Sequence, residues 1–141
     1  MTDLTVNVSK IIDAPIDKVF DAWLNPKMLS QFILPMPEMP HPLVDTDARE
    51  GGLFTIVMHV GDEKISHTGK YLEIDRPNKL VFTWESPFSP EGSTVTLKFS
   101  DLGGNKTNVE LSHIKFIDEE SRGNHEGGWG NILECLNDLL R

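Results

Sequence analysis

Residues 128–140 read GWGNILECLNDLL, and the fold follows from this stretch. Its apolar side chains recur at intervals of three and four residues, which is the period of one face of an α-helix. The polar side chains fall on the opposite face. A helix with so continuous an apolar face must cover a large apolar surface formed by the rest of the chain. The apolar positions are Trp129, Ile132, Leu133, Leu136, Leu139 and Leu140.

The middle of the chain provides that surface as a series of strands. Apolar and polar side chains alternate there in short runs, and clean alternation indicates antiparallel strands with one covered face. Segments rich in Gly, Pro, Asp and Asn separate the runs and predict turns. An earlier run over residues 4–8, extended by Ile11 and Ile12, predicts a first strand. The later runs span residues 53–59, 65–74, 80–84, 95–99 and 109–113.

Two short helices are predicted after the first strand. Pro15 opens the first helix, because proline is tolerated at a helix start. Asn25 caps the second, which runs to Ile33. Four prolines in residues 34–42 then forbid regular helix and predict a stiff connector. Its two methionines, at positions 36 and 39, could form the rim of a pocket, but we favour a role in filling the core.

This order of elements predicts an α+β fold in one domain, residues 1–141. A curved antiparallel sheet of six or seven strands wraps around the long C-terminal helix, with the two short helices at one end. A twisted sheet and a straight helix make close contact over only part of their length. The space left between them is expected to be an apolar cavity.

Composition excludes several classes of function. The chain has 141 residues, a net charge of −9 and a single cysteine, Cys135. The negative charge argues against nucleic acid as a partner, and one cysteine cannot form an internal disulfide. No apolar run approaches the roughly 20 residues of a membrane-spanning helix, so membrane insertion is not expected. Because the N-terminus lacks the features of a signal peptide, we expect a cytoplasmic protein.

Several local strings, in order, resemble a known family. Residues 14–23 read APIDKVFDAW, which is similar to the opening of the START-like superfamily (SRPBCC, helix-grip, birch-pollen-allergen-like). Residues 45–54, DTDAREGGLF, resemble the "D-x-R-x-GG-x-F" string of the group named after the C-terminal domain of the heat-shock-protein-90 ATPase activator. The strings GKYLEI at 69–74 and LVFTW at 80–84, and the closing Gly128-Trp129, resemble the same group.

The resemblance implies a helix-grip fold with a cavity. Such cavities bind lipids, hormones and polyketides elsewhere, and some carry out cyclase or aromatase chemistry. The fold does not define one function, because function depends on the site. The group usually has a tryptophan near the end of the second helix, where this chain has Phe32, and its Pro-rich connector is unusual.

Strand parity and the helix stripe together predict which side chains face the cavity. Most are apolar, as is typical of a small-molecule pocket. Tyr71 and His113 would orient a ligand within it. The predicted ligand-binding residues are Phe54, Ile56, Met58, Tyr71, Phe82, Trp84, Leu97, Phe99, His113, Trp129, Leu133 and Leu136.

Polar candidates for chemistry each have a simpler alternative. His113 is either an acid/base group in the cavity or a hydrogen-bonded core histidine, and we favour the second. His67 shares strand parity with Tyr71 and Glu73, unless a bulge at Gly69 shifts the register. For Glu73 we favour a place at the sheet rim, paired with Arg76 or Lys79.

Each of the remaining candidates also has a simpler structural interpretation. The acidic residues and Arg49 in residues 45–50 are interpreted as a turn held by an arginine–carboxylate pair. Cys135 lies on the helix without an obvious base, so we interpret it as a packed side chain. The histidines lack metal-ligand spacing, and no metal or cofactor is expected.

Three functions of different classes remain open. We favour the binding of a small hydrophobic molecule: a lipid, an aromatic compound or a polyketide-like compound. The first alternative is a cyclase, dehydratase or hydrolase, which needs at least two titratable groups converging in the cavity. The second is a co-chaperone-like interaction domain, which we rank last because 141 residues leave no room for the additional N-terminal domain of the activators. A homodimer is also left open.

Overall fold

The structure, a computed structural model, describes residues 5–33, 42–60, 62–85, 92–114 and 119–140. The connector that contains Met36 and Met39 lies outside the described residues. Within the described ranges, none of the helices has the length and apolar character needed to cross a membrane. The elements are β1 (Thr5–Ile12), α1 (Ile16–Ala22), α2 (Pro26–Phe32), β2 (Leu43–Thr46), β3 (Leu53–Val60), β4 (Glu63–Asp75), β5 (Lys79–Thr83), β6 (Thr94–Gly103), β7 (Lys106–Ile114) and α3 (Glu119–Leu140).

One antiparallel sheet of seven strands forms the body of the fold. Its strand order is β1-β7-β6-β5-β4-β3-β2, so every neighbouring pair except β1 and β7 is also consecutive in the chain. The pairing of β1 with β7 runs from Thr5 opposite Ile114 to Ile12 opposite Thr107. The predicted α+β architecture, with two short helices after the first strand, is confirmed.

The C-terminal half of α3 is fastened to β1 and to the segment that follows it. Lys10 Nζ lies 2.8 Å from Glu134 Oε1, and the backbone N–H of Asp13 donates to Asn137 Oδ1 at 2.9 Å. Exposed contacts of this kind contribute little energy by themselves. Their effect is to orient the helix, while burial of its apolar stripe against the sheet provides the stabilisation.

The core lies between the inner face of the sheet and the helices. Side chains alternate along β7 and along β6 as far as Phe99, so that Val95, Leu97, Val109 and Leu111 are buried and their neighbours are not. Phe20 of α1 meets Phe99 of β6 edge to face, with ring centroids 5.1 Å apart. The two short helices therefore close one end of this core.

Helix α3 begins nine residues before the stretch that predicted it. None of its described side chains from Glu119 to Gly128 is buried, so this half carries no apolar periodicity to reveal it. Arg122 holds the first turns together by ion pairs with Glu119 at 2.6 Å and Glu126 at 2.9 Å. The sequence pattern therefore revealed only the second half of this helix.

Local signals in the sequence are confirmed at the second helix and at two turns. The side chain of Asn25 accepts hydrogen bonds from the backbone N–H groups of Lys27 and Met28. Arg49 Nε lies 2.9 Å from Asp47 Oδ2 in the turn before β3. Gly103 and its two successors turn the chain between β6 and β7 with positive φ angles, a conformation that glycine and asparagine tolerate best.

A bulge in β4 lies between Tyr71 and Glu73, not at Gly69. His67, Gly69 and Tyr71 consequently keep their common inward face, whereas Glu73 is displaced from it. Its carboxylate lies 3.6 Å from Lys79 Nζ at the sheet rim, as favoured from the sequence. Gly69 is required for a different reason, because a Cβ atom there would overlap the carbonyl oxygen of Thr83 and the ring of Phe54.

Candidate functional site

The most polar part of the interior surrounds His113 on β7. Its side chain is completely buried, and the indole N–H of Trp129 on α3 donates to its Nδ1 at 3.0 Å. Its Nε2 forms a short hydrogen bond with the hydroxyl of Ser93, which is also completely buried. The His125 ring meets the His113 ring edge to face, with centroids 5.3 Å apart. His113 therefore links the sheet to α3.

The partners of His113 determine its tautomer. An indole N–H can only donate, so Nδ1 must carry a lone pair. Burial, together with the charge of His125, lowers the pKa of His113 to about 3, so the ring is neutral near pH 7. Its one proton is then on Nε2 and is donated to Ser93 Oγ. Because a base must accept the serine proton at that nitrogen, this histidine is not arranged to activate Ser93 as a nucleophile.

A cavity of about 120 Å³ lies between the sheet and the first half of α3. We call it the α3 cavity. Strands β3 and β4 and the segment after β5 form one wall, and α3 forms the other. Trp84 and Trp129 meet there with ring centroids 4.9 Å apart. The residues that line it are Met58, His67, Trp84, Asn124, His125, Gly128, Trp129 and Ile132.

Two buried polar atoms belong to side chains of this wall. Among the described residues, Trp84 Nε1 and His67 Nδ1 have no hydrogen-bond partner. The two rings lie almost face to face, with centroids 4.8 Å apart. Burial lowers the pKa of His67 to about 4, a shift that hydrogen bonding to backbone carbonyls opposes and the charge of His125 increases. His67 is thus a neutral imidazole near pH 7.

A second space lies on the other side of Trp84, under α2. This α2 cavity has a volume of only about 10 Å³, too little to hold more than a single water molecule. Burial, and the nearby Asp47 carboxylate, raise the pKa of Tyr71 in its wall to about 12. Its lining residues are Trp23, Leu29, Ile33, Phe54, Ile56, Tyr71, Phe82 and Trp84.

The outer face of the sheet carries a larger recess of about 400 Å³. It crosses β1, β7 and β6 over rows of short polar side chains, such as Asn7 beside Ser112 and Thr96. No aromatic side chain lines it. Small-molecule sites are mostly apolar with few polar groups, so the smaller α3 cavity is the better candidate.

Comparison with known families identifies the chain. Residues 13–141 match the model of the family described as activator of Hsp90 ATPase homolog 1-like protein. The chain belongs to this family. The match covers nearly the whole sequence, in agreement with the resemblance of its local strings. A comparison with curated proteins finds no significant match.

Solved structures share the fold of this Hsp90-activator-like chain. A protein of Chromobacterium violaceum is 20% identical, with a TM-score of 0.81 and 96% of each chain covered. An Hsp90 activator from Plasmodium falciparum is 22% identical, with a TM-score of 0.77 and coverage of 97% of this chain and 96% of that one. CalU16 from Micromonospora echinospora is 25% identical, with a TM-score of 0.72 and coverage of 96% and 75%. At these identities the likeness establishes the fold.

The predicted site residues of this family member fall into three groups. All twelve are buried, but they do not share one space. Met58, Trp84 and Trp129 line the α3 cavity, and Trp84 also lines the α2 cavity. The other residues of the α2 cavity from the prediction are Phe54, Ile56, Tyr71 and Phe82. The residues that line neither cavity are Leu97, Phe99, His113, Leu133 and Leu136.

Several residues of the α3 cavity were not among the predicted ones. Asn124 and His125 lie on the half of α3 that the sequence did not reveal as helix. Gly128 has no side chain to signal a lining position. Parity along β4 did place His67 on the inward face, and extending the helical period one turn before Trp129 would have placed His125 there too.

The remaining polar candidates have structural roles. The carboxylate of Glu50 accepts the backbone N–H of Ile74 at 3.0 Å, which ties the turn before β3 to β4. Burial and the nearby carboxylates of Asp138 and Glu134 raise the pKa of the Cys135 thiol, so that it is less reactive than usual. Across the ranges that the structure describes, no group of three His, Cys, Asp or Glu side chains could hold a metal ion.

Proposed function

We propose that this protein binds a small apolar molecule in the α3 cavity. The observation that supports this is a space of about 120 Å³ with a largely apolar and aromatic lining, to which Met58, Trp84, Trp129 and Ile132 contribute. Apolar side chains that face water cost free energy, which a bound apolar molecule would recover by covering them.

The volume indicates the size of the ligand. Pockets for drug-sized molecules measure roughly 300–1,000 Å³, whereas an engineered apolar cavity of about 150 Å³ accepts benzene. The α3 cavity, at about 120 Å³, therefore suits one aromatic ring or a short aliphatic chain. A lipid or a polyketide of several rings is larger than this space, so part of such a ligand would extend beyond it.

Binding is favoured over catalysis by the protonation of the available groups. His67 and His125 do converge at the cavity, as an enzyme would require. However, a base whose pKa is about 4 binds protons weakly near neutral pH. His113 is engaged by Ser93 and Trp129 and lines neither cavity. The proposed role is thus that of a carrier or sensor, and we keep the cytoplasmic location and the homodimer as predictions.

Two neighbouring glycines of α3 allow a matched test. Gly128 lines the cavity, whereas a Cβ atom on Gly127 would meet nothing within 4 Å. Replacing either residue with leucine removes a glycine from the same helix, but only Gly128→Leu fills the cavity. Titration calorimetry with toluene should show saturable binding to the wild type and to Gly127→Leu, and a loss of at least tenfold in affinity for Gly128→Leu.

Two outcomes would contradict the proposal. One is that toluene does not bind the folded wild-type protein at all. The other is that both leucine variants bind toluene equally well, which would place the apolar probe outside the α3 cavity. Circular dichroism and thermal unfolding of both variants would show that the comparison is made between folded proteins.

A co-chaperone-like role is the second candidate, supported by the family match and by the similarity to the Plasmodium falciparum Hsp90 activator. The large apolar side chains exposed on the described surface are single residues on six strands, so no described element presents a continuous apolar face to a partner. We therefore expect no stimulation of an Hsp90 homologue's ATPase at micromolar concentrations. Saturable, salt-sensitive stimulation would reverse this ranking. These side chains are Ile11, Leu43, Leu53, Leu72, Leu102 and Ile114.

A further inference from the structure

Three of the five histidines in the chain lie in or next to the wall of the α3 cavity. His67 comes from β4, His113 from β7 and His125 from α3. The rings of His113 and His125 meet edge to face with centroids 5.3 Å apart, so the His125 ring points from the helix towards the sheet. His67 and His125 both line the cavity. Imidazoles from three separate elements thus come together beside the proposed binding site.

The three histidines differ in how they can respond to pH. His67 and His113 are buried, and burial lowers their pKa values to about 4 and about 3. Both therefore stay neutral from pH 7.5 down to pH 5.5. His125 is only half-buried, so water can solvate a positive charge on its ring. Since histidine is the side chain whose charge ordinarily changes between pH 5 and 8, His125 is the member of this cluster that can change its charge in that range.

The described charged groups near His125 come from the sheet and from its own helix. On the sheet they are the imidazoles of His67 and His113, whose pKa values the charge of His125 lowers. On α3, Glu126 is the next residue and Arg122 lies about one turn earlier, and these two side chains form an ion pair at 2.9 Å. Among the described residues that line the cavity, only the two histidines can carry a charge.

A charge on His125 and an apolar molecule in the cavity oppose each other. An apolar occupant excludes water from the part of the imidazole that faces the cavity, and loss of water disfavours the charged form of histidine. By linkage, the charged form must disfavour the occupant by the same factor. The proton and the apolar ligand therefore compete, although they do not occupy the same position.

We propose that His125 is a pH-dependent switch of the α3 cavity, and that its protonation releases a bound apolar molecule. This inference rests on the proposed function and adds the regulation of the same site. The neutral imidazole tolerates an apolar neighbour, whereas the imidazolium needs the water that this neighbour excludes. A carrier of this kind takes up its ligand near neutral pH and releases it in mildly acidic surroundings.

Toluene is a suitable probe because it has no titratable group, so any effect of pH on its affinity comes from the protein. Titration calorimetry of the wild type should show a roughly tenfold lower affinity at pH 5.5 than at pH 7.5. In His125→Gln, whose side chain stays neutral, the two affinities should be equal. His59→Gln is the matched control, since it removes a half-buried histidine on β3 that does not line the cavity, and it should behave like the wild type. Circular dichroism at both pH values checks that each protein is folded.

A second measurement needs no variant to fold. Calorimetry of the wild type at pH 6.5, in buffers of different ionisation enthalpy, counts the protons released when toluene binds. A fraction of one proton should be released at pH 6.5 and none at pH 8.5, where the imidazole is already neutral.

The outcomes separate the switch from the proposed function. Equal toluene affinities of the wild type at pH 7.5 and pH 5.5, an equal loss in His125→Gln, or no release of protons at pH 6.5 would each overturn the switch. In those cases toluene binding at pH 7.5 would still support the proposed function. If toluene binds at neither pH, both proposals are wrong.

Discussion

His113 connects the sheet to the helix through two hydrogen bonds in an interior that is mostly apolar. The imidazole accepts from the indole of Trp129 and donates to the hydroxyl of Ser93. Both partners are buried, so neither can form a hydrogen bond with water if the imidazole is removed. A buried polar group whose hydrogen bonds are all made favours a single arrangement of its neighbours, because any other arrangement leaves donors without acceptors.

Replacing His113 should therefore destabilise the fold more than its volume suggests. His113→Leu leaves two buried groups unpaired, and we expect the free energy of unfolding in urea to fall by about 2–4 kcal/mol. His59→Leu, at a half-buried position on β3, is the control and should change it by less than about 0.5 kcal/mol. Similar values for the two variants would show that the hydrogen bonds of His113 contribute little.

The two neutral histidines also make stability depend on pH. Both have an ordinary pKa of 6.5, which burial, the largest cause, lowers to about 4 for His67 and about 3 for His113. Between these limits the unfolded chain binds protons that the folded protein does not. Stability therefore falls as the pH is lowered from about 6.5, and the loss due to these groups is complete near pH 3.

From pH 7 to pH 5 the free energy of unfolding should decrease by roughly 2 kcal/mol for each of these histidines. Urea denaturation at several pH values measures this, and His113→Leu, if folded, should show about half the decrease. Asp21 and Glu119, whose pKa values are lowered beside Arg76 and Arg122, lose their contribution only at lower pH. A stability that is constant between pH 7 and pH 5 would contradict the neutral state of the two imidazoles.

Helix α3 consists of two halves with different support. The half from Trp129 onward buries an apolar stripe, whereas the half before it carries no buried described side chain and contains Gly123, Gly127 and Gly128. Glycine is among the weakest helix formers. The first half nevertheless forms part of the wall of the α3 cavity. The least stable section of the helix is thus the one that lines the α3 cavity.

Alanine at position 127 should stabilise this half of the helix. A Cβ atom there meets nothing within 4 Å, so the gain in helix propensity is opposed by no clash. We expect Gly127→Ala to raise the free energy of unfolding by about 0.5–1 kcal/mol. Urea denaturation measures the change, and a loss of stability would mean that this part of α3 is not helical.

Gly69 on β4 provides the opposite case. An alanine Cβ there would overlap the Thr83 carbonyl oxygen and the Phe54 ring. Gly69→Ala should consequently lower the free energy of unfolding by about 1–3 kcal/mol. The same substitution in two elements is thus expected to have opposite signs, because one glycine is crowded by its neighbours and the other is not.

At the scale of the whole molecule, ligand binding and folding are linked. A ligand that binds only the folded state at 100 times its Kd stabilises it by about 2.7 kcal/mol. For a chain of this length, saturating toluene should raise the Tm by roughly 5–10 °C. Gly128→Leu, which fills the α3 cavity, should show little or no shift in differential scanning calorimetry. A shift of equal size in that variant would indicate binding at another place.

Much of the architecture could be predicted because burial leaves a period in the sequence. The stripe from Trp129 to Leu140 and the alternation on β6 and β7 identify which side chains face inward. The helix cap at Asn25 and the turn at Gly103 could also be predicted from their residue types. The first half of α3 was missed because glycines and exposed polar residues carry no period. The bulge after Tyr71 was not predicted, because a single extra residue has no signature of its own.

The strands of the sheet, the apolar half of the helix that covers it and the inward-facing residues could all be predicted, since they follow from local periodicity. Which inward-facing residues line an empty space, and which contact one another, became clear only once the elements were placed in three dimensions. Leu133 and Trp129 belong to the same stripe, yet only Trp129 lines the α3 cavity. Which ring nitrogen of His113 carries the proton likewise depends on Trp129, which is 16 residues away in the chain. A cavity and a tautomer depend on distances between elements, and no local pattern contains those distances.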